Sequence, residues 1–520
     1  VVDVFSELTI SGISNALFSR YGCYDEIYEV SGPIQQFIMK SCSGGRTMIS
    51  DNKPHIADRK QVDFDWNSLY PSAILHMKVM QGVPHILVDK SFEFLSTTAG
   101  YVVECSIRKN KDIKRVGFPL LAKFEDHRLN YTNDWNPEDT VILNDEQIAD
   151  LITYQHYTIE DFTVLQGLYY SKVDQRHEIS ASPIDENHEM RMKVSRFGFI
   201  MKMVYLMRVE YKKQRNPIQL VLKLLMNTSY GRNIMKMSEL KTSYKNQKSM
   251  NNVIKRNFIN LKESTKIKDD LHLCTCYVNK YEHFNRAIVG SFVLSKSKTL
   301  FHEMTDLIED WSNISYMDTD SLQGSRDEIL KTIAKMNVIK NARYGTVGLD
   351  YVDHKFQGGS HIDLPKVRCT AVNSYLDEKN ERVYFDDVNI GKSVEPSEGN
   401  YAIYLSKKCY FIELNTENMT DVYQDEFNLN HIRMKGVSKK SIRAKLAESY
   451  SHLDISLRVR QLYLDLYNNK LSIAEIEQSA LNEKQKRDKI NKYKMTFTMP
   501  SIKINKKTNT ITYEKMTRRQ

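Results

Sequence analysis

Val62-Asp63-Phe64-Asp65-Trp66-Asn67-Ser68-Leu69-Tyr70-Pro71-Ser72 is the stretch on which the reading of this chain turns. A strand over Gln61–Asp65 delivers Asp65 to its end, the chain turns through Ser68, and a helix starts near Pro71, a residue favoured in the first helical turn. Such a junction presents backbone N–H groups beside a carboxylate, so a phosphate and its metal ion could share the corner. By itself an Asp at a strand end is more often a turn or cap residue. The stretch gains meaning only if further carboxylates and cations join it.

Two other segments supply them. Ile314-Ser315-Tyr316-Met317-Asp318-Thr319-Asp320-Ser321-Leu322 reads as two short strands folded about an Asp-Thr turn. The tip of that hairpin can hold Asp318 and Asp320 near one point, and hard oxygen ligands suit magnesium. Between the two acidic stretches, Phe197–Gln214 and Pro217–Tyr230 read as helices joined by a tight Arg215-Asn216-Pro217 turn, with Asn216 as cap and Gly231 as stop. Lys223, Asn227 and Tyr230 fall at i, i+4 and i+7 on one face, and Arg208 and Lys212 stand at i and i+4 on the preceding helix. Leu220, Leu224 and Leu225 are expected to point away into packing. Two antiparallel helices would thus offer three cations, an amide and a phenol to one ligand, as a triphosphate with a base above it would require.

Around these segments the composition is that of a folded globular protein, with 41% hydrophobic and 27% charged residues over 520 positions, enough for about three or four domains. The seven cysteines are scattered, with one Cys-x-Cys and no Cys-x-x-Cys, which argues for a reducing compartment and against a structural zinc site. No apolar run reaches the ~18 residues of a membrane span, and no signal peptide is present, so an intracellular, non-secreted protein is expected. Opening on Val1 rather than Met, the chain reads as a processed product or a piece of something longer.

Charge is concentrated rather than large. Leu481–Gln520 holds 12 Lys+Arg against 3 Asp+Glu, an excess equal to the +9 of the whole chain, and Lys236–Lys268 holds 9 against 2. Lysines interleaved with Tyr, Phe and Asn suit a polyanion such as nucleic acid, although a solvated lysine-rich surface has the same composition.

Taken in order, D-x-x-S-L-Y-P-S (Asp65–Ser72), K-x-x-x-N-[ST]-x-Y-G (Lys223–Gly231, with Thr228 for the commoner Ser) and Y-x-D-T-D-S (Tyr316–Ser321) resemble the three polymerase motifs of family B DNA polymerases. Cys42-Ser43-Gly44-Gly45-Arg46 resembles the Y-x-G-G motif of the protein-primed branch found in phages, adenoviruses and linear plasmids, with Cys42 where that motif has Tyr. Lys408-Cys409-Tyr410 resembles its K-x-Y motif, and the basic stretch between Gly231 and Tyr316 lies where the branch carries an insertion. The 64 residues before Asp65 contain no Asp-x-Glu pair, so no proofreading exonuclease is expected in this chain.

The resemblance implies an α+β right-hand fold. Residues 1–75 would form an N-terminal palm segment, 76–190 a palm and insertion region, 191–231 the fingers and 232–285 the basic insertion. Palm would resume over 286–425, with thumb and basic C-terminal segment over 426–520. It implies a DNA-directed DNA polymerase in which Asp65, Asp320 and the Trp66 carbonyl hold two Mg²⁺ ions, Mn²⁺ being able to substitute, while Asp318 tunes the site. Arg208, Lys212 and Lys223, with the amides of Ser68, Leu69 and Tyr70, would hold the dNTP phosphates. Tyr70 would exclude ribonucleotides, and Tyr230 beside Asn227 would pack on the nascent base pair. Gly44, Gly45, Arg46, Thr319, Lys408 and Tyr410 would contact template and primer. Implied partners are DNA, dNTPs and a terminal protein serving as primer, at the site of replication of a viral or plasmid genome. A conventional nucleic-acid-primed family B enzyme and a non-catalytic nucleic-acid-binding module are the alternatives.

Overall fold

The computed structural model describes residues 9–66, 68–108, 119–125, 128–133, 135, 139–181, 190–234, 238–279, 285–342, 351–352, 355–356, 358–360, 374–376, 382–384, 399–414, 429–479, 497–505 and 510–518. Helices and antiparallel strands alternate irregularly along it, which is the α+β class expected from the sequence.

Among the described residues the largest sheet has nine strands, with Thr47–Ile49, Ile314–Asp318, Ser321–Ser325, Gln61–Trp66, Gly399–Ser406, Cys409–Leu414 and Asn430–Met434 as neighbours in that order. Its centre is decided by the pleat of Gln61–Trp66. Val62, Phe64 and Trp66 alternate onto one face, where they pack with Leu300, Phe301 and Met304 in one apolar cluster. Gln61, Asp63 and Asp65 make the opposite, polar row, and the first two are buried. Gln323 Nε2 donates to Asp63 Oδ2 at 3.2 Å, which partners a carboxylate that burial would otherwise leave at a cost. Only the last of the row, Asp65, emerges half-buried at the strand end.

Behind this face runs the helix Ala287–Thr305, buried along nearly its whole length and on every side, as expected for a helix at the centre of a large domain. The helical hairpin is anchored on the same core. Arg196–Lys213 starts at Ser195, whose hydroxyl accepts from the Gly198 amide at 3.0 Å. Phe197 stacks on Phe18 with ring centroids 4.6 Å apart. The second helix, Ile218–Thr228, returns after Arg215 takes positive φ; Pro217 is its cap residue in place of the expected Asn216, whose Oδ1 accepts from the Ile218 amide at 3.0 Å.

Two further sheets add to the central one. His85–Ile86, Phe162–Tyr170, Gly100–Ile107 and Thr140–Asn144 form a four-stranded sheet that shares an apolar cluster with residues of the helix Asp145–Gln155. The basic stretch forms a three-stranded sheet, Ser238–Lys245, Leu271–Asn279 and Leu261–Lys268, with the helix Gln247–Asn257. Of the basic C-terminal segment, residues 480–496, 506–509 and 519–520 lie outside the described residues, and strands Phe497–Asn505 and Thr510–Arg518 pair with each other. Among the described residues no helix is long and apolar enough to cross a membrane.

Candidate active site

Register brings the acidic stretches together. Asp65 lies opposite Ser321 and Asp318 opposite the same Ser321, so all three carboxylates sit at one end of the sheet. The Trp66 amide donates to the Asp320 carbonyl at 2.9 Å, tying the strand end to the hairpin turn. In that turn Thr319 holds φ at 66°, an uncommon state for a β-branched residue. It is kept there by its amide, which donates to the Arg46 carbonyl at 2.7 Å. The three aspartates have different surroundings. Asp318 accepts from Thr47 Oγ1 at 2.8 Å and from the Tyr316 hydroxyl at 3.2 Å, and Lys408 Nζ stands 3.3 Å away. Asp65 and Asp320 line the cleft in front of it.

That cleft has a volume of about 1270 Å³, and its lining includes Asp65, Trp66, Asp318, Thr319 and Asp320 on the floor. Ser68, Leu69 and Tyr70 lie beside them, and Arg208, Lys212, Lys223, Asn227 and Tyr230 form the wall. The helix Leu69–His76 begins right after Ser68, which has left-handed φ, and its first helical bond runs from the Ser72 amide to the Ser68 carbonyl at 2.9 Å. The Leu69 and Tyr70 amides of the first turn are therefore outside the helical ladder and beside the carboxylates. Arg208 Nη1 lies 3.5 Å from Ser68 Oγ, while Lys212, Lys223 and Asn227 are exposed.

Tyr70 and Tyr230 stack on each other, with centroids 4.3 Å apart and planes 7° from parallel. Burial, the neighbouring Tyr230 and the Asp320 charge hold the Tyr70 phenol above its ordinary range, so it stays a neutral donor. Lys408 and Tyr410 also line the cleft, but Tyr410 is buried, accepts from Gln323 Nε2 at 3.0 Å, and is pushed up to about 12 by burial first and by Asp63 next.

The donor chemistry fits a hard divalent cation. Two carboxylates and a strand-end carbonyl are hard oxygens, and Mg²⁺ is commonly held by one or two carboxylates with substrate phosphates completing the shell. Among the described residues no three His, Cys, Asp or Glu groups converge as a metal cluster.

Several expectations are corrected. Arg46 is not an exposed phosphate contact: it is 3% exposed, Nη1 donates to the Pro119 carbonyl at 2.8 Å and Nε points at Met317 Sδ at 2.8 Å. Gly45 backs the hairpin, and Gly44 beside it is half-buried. A Cβ on Gly45 would fall 2.6 Å from the Thr319 side chain, so only glycine lets the turn lie so close. Cys42 has its sulfur 3.7 Å from the Ile38 and Ala287 carbonyls, and desolvation pushes its thiol up to about 12, so it is an inert packing group. Leu220 and Leu224 are not packed inward; they are 54% and 45% exposed, and Leu222, Leu225 and Met226 supply the buried face. The motifs also missed Arg433, Lys435 and Lys439, which line the cleft opposite the helical hairpin. The basic run Arg433–Lys440 was the available signal.

The cleft joins carboxylates on its floor to cations on its walls, and comparison with known families gives the chain its class. The family model described as DNA polymerase type B, organellar and viral, matches residues 1–294, more than half of the chain, and the chain belongs to that family. Among solved structures, Phi29 DNA polymerase complexed with primer-template DNA is 13% identical with a TM-score of 0.50, covering 84% of this chain and 61% of that one. Its complex with primer-template DNA and incoming nucleotide gives 11% identity and a TM-score of 0.48 over 99% of this chain and 68% of that one. The chain thus spans less than two thirds of the first of these structures. No curated relative matches the sequence.

Proposed function

We propose that this chain is a DNA-directed DNA polymerase that adds dNTPs to a primer 3′-hydroxyl. The observation that carries the reading is the meeting of Asp65 and Asp320 at one sheet end, tied by the Trp66–Asp320 backbone bond, on the floor of a cleft walled by Arg208, Lys212 and Lys223. Membership of a polymerase family and the overall likeness to a primer-template complex support it. Asp65, Asp320 and the Trp66 carbonyl are the groups that would hold two Mg²⁺, or Mn²⁺ in their place. When bound, such ions supply Lewis acidity to the attacking hydroxyl and the leaving pyrophosphate.

The chain's own residues do the rest. Asp318, already bonded to Thr47, Tyr316 and Lys408, fixes the hairpin rather than binding an ion directly. Arg208, Lys212 and Lys223, with the Ser68, Leu69 and Tyr70 amides, hold the triphosphate and oppose the charge that develops in the transition state. Tyr70 lies against the sugar and leaves no room for a 2′-hydroxyl, while Tyr230 and Asn227 face the nascent pair. Thr319 and Lys408 meet the DNA strands at the cleft floor, positioning without reading sequence, while Tyr410, buried against Gln323, supports that floor instead of contacting DNA as the motif implied. In this reading residues 191–231 are the fingers and 426–520 the thumb, with Arg433, Lys435 and Lys439 facing the duplex.

Priming by a terminal protein is the finer proposal, resting on the Ser43-Gly44-Gly45 and Lys408-Cys409-Tyr410 segments and on the basic insertion. The deciding experiment is extension of a labelled primer on single-stranded template with Mg²⁺, comparing wild type with Asp65→Ala and Asp320→Ala. Extension lost in both variants with DNA affinity retained is expected; turnover surviving in either removes the assignment. Covalent labelling of a candidate terminal protein by radioactive dNTP then separates protein priming from nucleic-acid priming.

A further inference from the structure

The geometry points to Lys298 as a positioning residue: its side-chain nitrogen clamps the segment Ser41–Arg46, and that segment sets the place of the Asp318-Thr319-Asp320 tip. The inference deepens the polymerase reading and rests on it for its catalytic consequence.

Lys298 is 8% exposed on the central helix Ala287–Thr305 and lies outside the cleft lining. A lysine there would be costly unless its protons were used. They are: Nζ donates to the Ser43 carbonyl at 2.8 Å, to Ser43 Oγ at 3.2 Å and to the Leu294 carbonyl at 3.2 Å. Two of its three acceptors thus belong to one residue of the loop. The rest of the segment is fastened in series. Ser41 Oγ bonds Ser291 Oγ at 2.7 Å, the Tyr131 hydroxyl donates to the Gly44 carbonyl at 2.5 Å, and Arg46 Nη1 reaches Pro119.

Three contacts carry the placement onward. Gly45 lies under the Thr319 side chain, the Arg46 carbonyl takes the Thr319 amide, and Thr47 Oγ1 donates to Asp318. The Thr319 backbone, at φ 66°, is in a conformation that holds only while its surroundings impose it. With Ser291, which holds Ser41, Lys298 ties the central helix to that chain of contacts at Ser43. Burial and Arg46 lower its basicity to about 7, against Asp150 and Cys42, which raise it. The neutral amine keeps two N–H groups, enough for both Ser43 oxygens.

The test is hydrogen-exchange mass spectrometry of the full chain as wild type, Lys298→Met, Lys298→Gln and Ser43→Ala, alongside single-nucleotide addition at varied Mg²⁺. In Lys298→Met, exchange should rise about tenfold in peptides covering 43–48 and 316–321 and stay unchanged in the helix Ile455–Tyr467. The turnover number should fall about tenfold or more, and the Mg²⁺ needed for half-maximal rate should rise, with DNA affinity kept. Lys298→Gln, which retains a donor, should recover part of both. Wild-type exchange in both segments, or an equal rise in the Ile455–Tyr467 helix, overturns the clamp. Should Lys298→Met fail to fold, Ser43→Ala removes one acceptor and reads the same two segments. A wild type without metal-dependent addition would defeat the polymerase reading, while the exchange pattern would still decide the clamp.

Discussion

The aspartate hairpin and the cationic helical hairpin face each other across one cleft and are built on opposite terms. At the sheet end, Asp318 has three partners, the turn is tied to Arg46 and Trp66, and Gly45 leaves the tip no slack. On the wall, Lys212 and Lys223 are exposed and have no carboxylate partner among the described residues. In the proposed reading the difference follows from what each must meet. Carboxylates that hold small cations need fixed geometry, and a sheet supplies it during folding. Cations that receive a flexible triphosphate gain nothing from an internal partner that the ligand would have to displace. Solvated lysines on a helix keep their charge available.

The contrast can be broken most directly at Gly45. Gly45→Ala places a methyl against Thr319 and should lower the turnover number about a hundredfold, through displacement of the tip, with the KM for dNTP little changed. Steady-state single-nucleotide kinetics measures both, and a wild-type turnover number would show that the tip is not rigid. On the wall the split should reverse. Lys223→Ala removes the phosphate contact proposed for it and should cost about tenfold in kcat/KM for dNTP, mostly in KM, with the Mg²⁺ requirement unmoved. Equal losses in kcat and KM would place Lys223 closer to the chemistry than this comparison allows.

Tyr70 stands where the two regions touch, since its ring stacks on Tyr230 of the wall and its helix starts beside Asp65. Tyr70→Val should admit ribonucleotides, read as a fall of about tenfold or more in the dNTP:NTP ratio of kcat/KM. An unchanged ratio would leave the phenol a packing group.

The smallest expected effect lies behind the hairpin. Burial raises the Asp150 carboxyl to about 7, opposed by its bond from Thr299 Oγ1 at 3.0 Å and by Lys296, Lys298 and Arg46. His302 Nδ1 lies 3.3 Å from the same carboxylate. A carboxyl raised on folding contributes stability that is complete below the ordinary carboxylate range and is lost as pH rises through about 7. Melting temperatures of wild type should therefore decline relative to Asp150→Asn between pH 4 and pH 8, by about a few degrees. Parallel curves would mean that folding leaves the Asp150 titration unshifted.

Local order in the sequence determined a good deal. Residue type and spacing placed a strand ending at Asp65 and a helix starting near Pro71, each within two residues of the observed Trp66 and Leu69, a turn between Asp318 and Asp320, and Lys223, Asn227 and Tyr230 toward one cleft. These depend on contacts within about four positions, where periodicity and cap chemistry act. The tertiary structure alone decided which of those groups meet water and which meet each other. Arg46 reads as a phosphate contact and is buried; Leu220 and Leu224 read as core and are exposed; Lys298, Arg433, Lys435 and Lys439 belong to no motif and yet border the site or its support. Helical period names a face but not its neighbour. Burial and long-range register are properties of elements far apart in the chain, fixed only when the sheet pairs Asp65 with Ser321 and the central helix closes behind it.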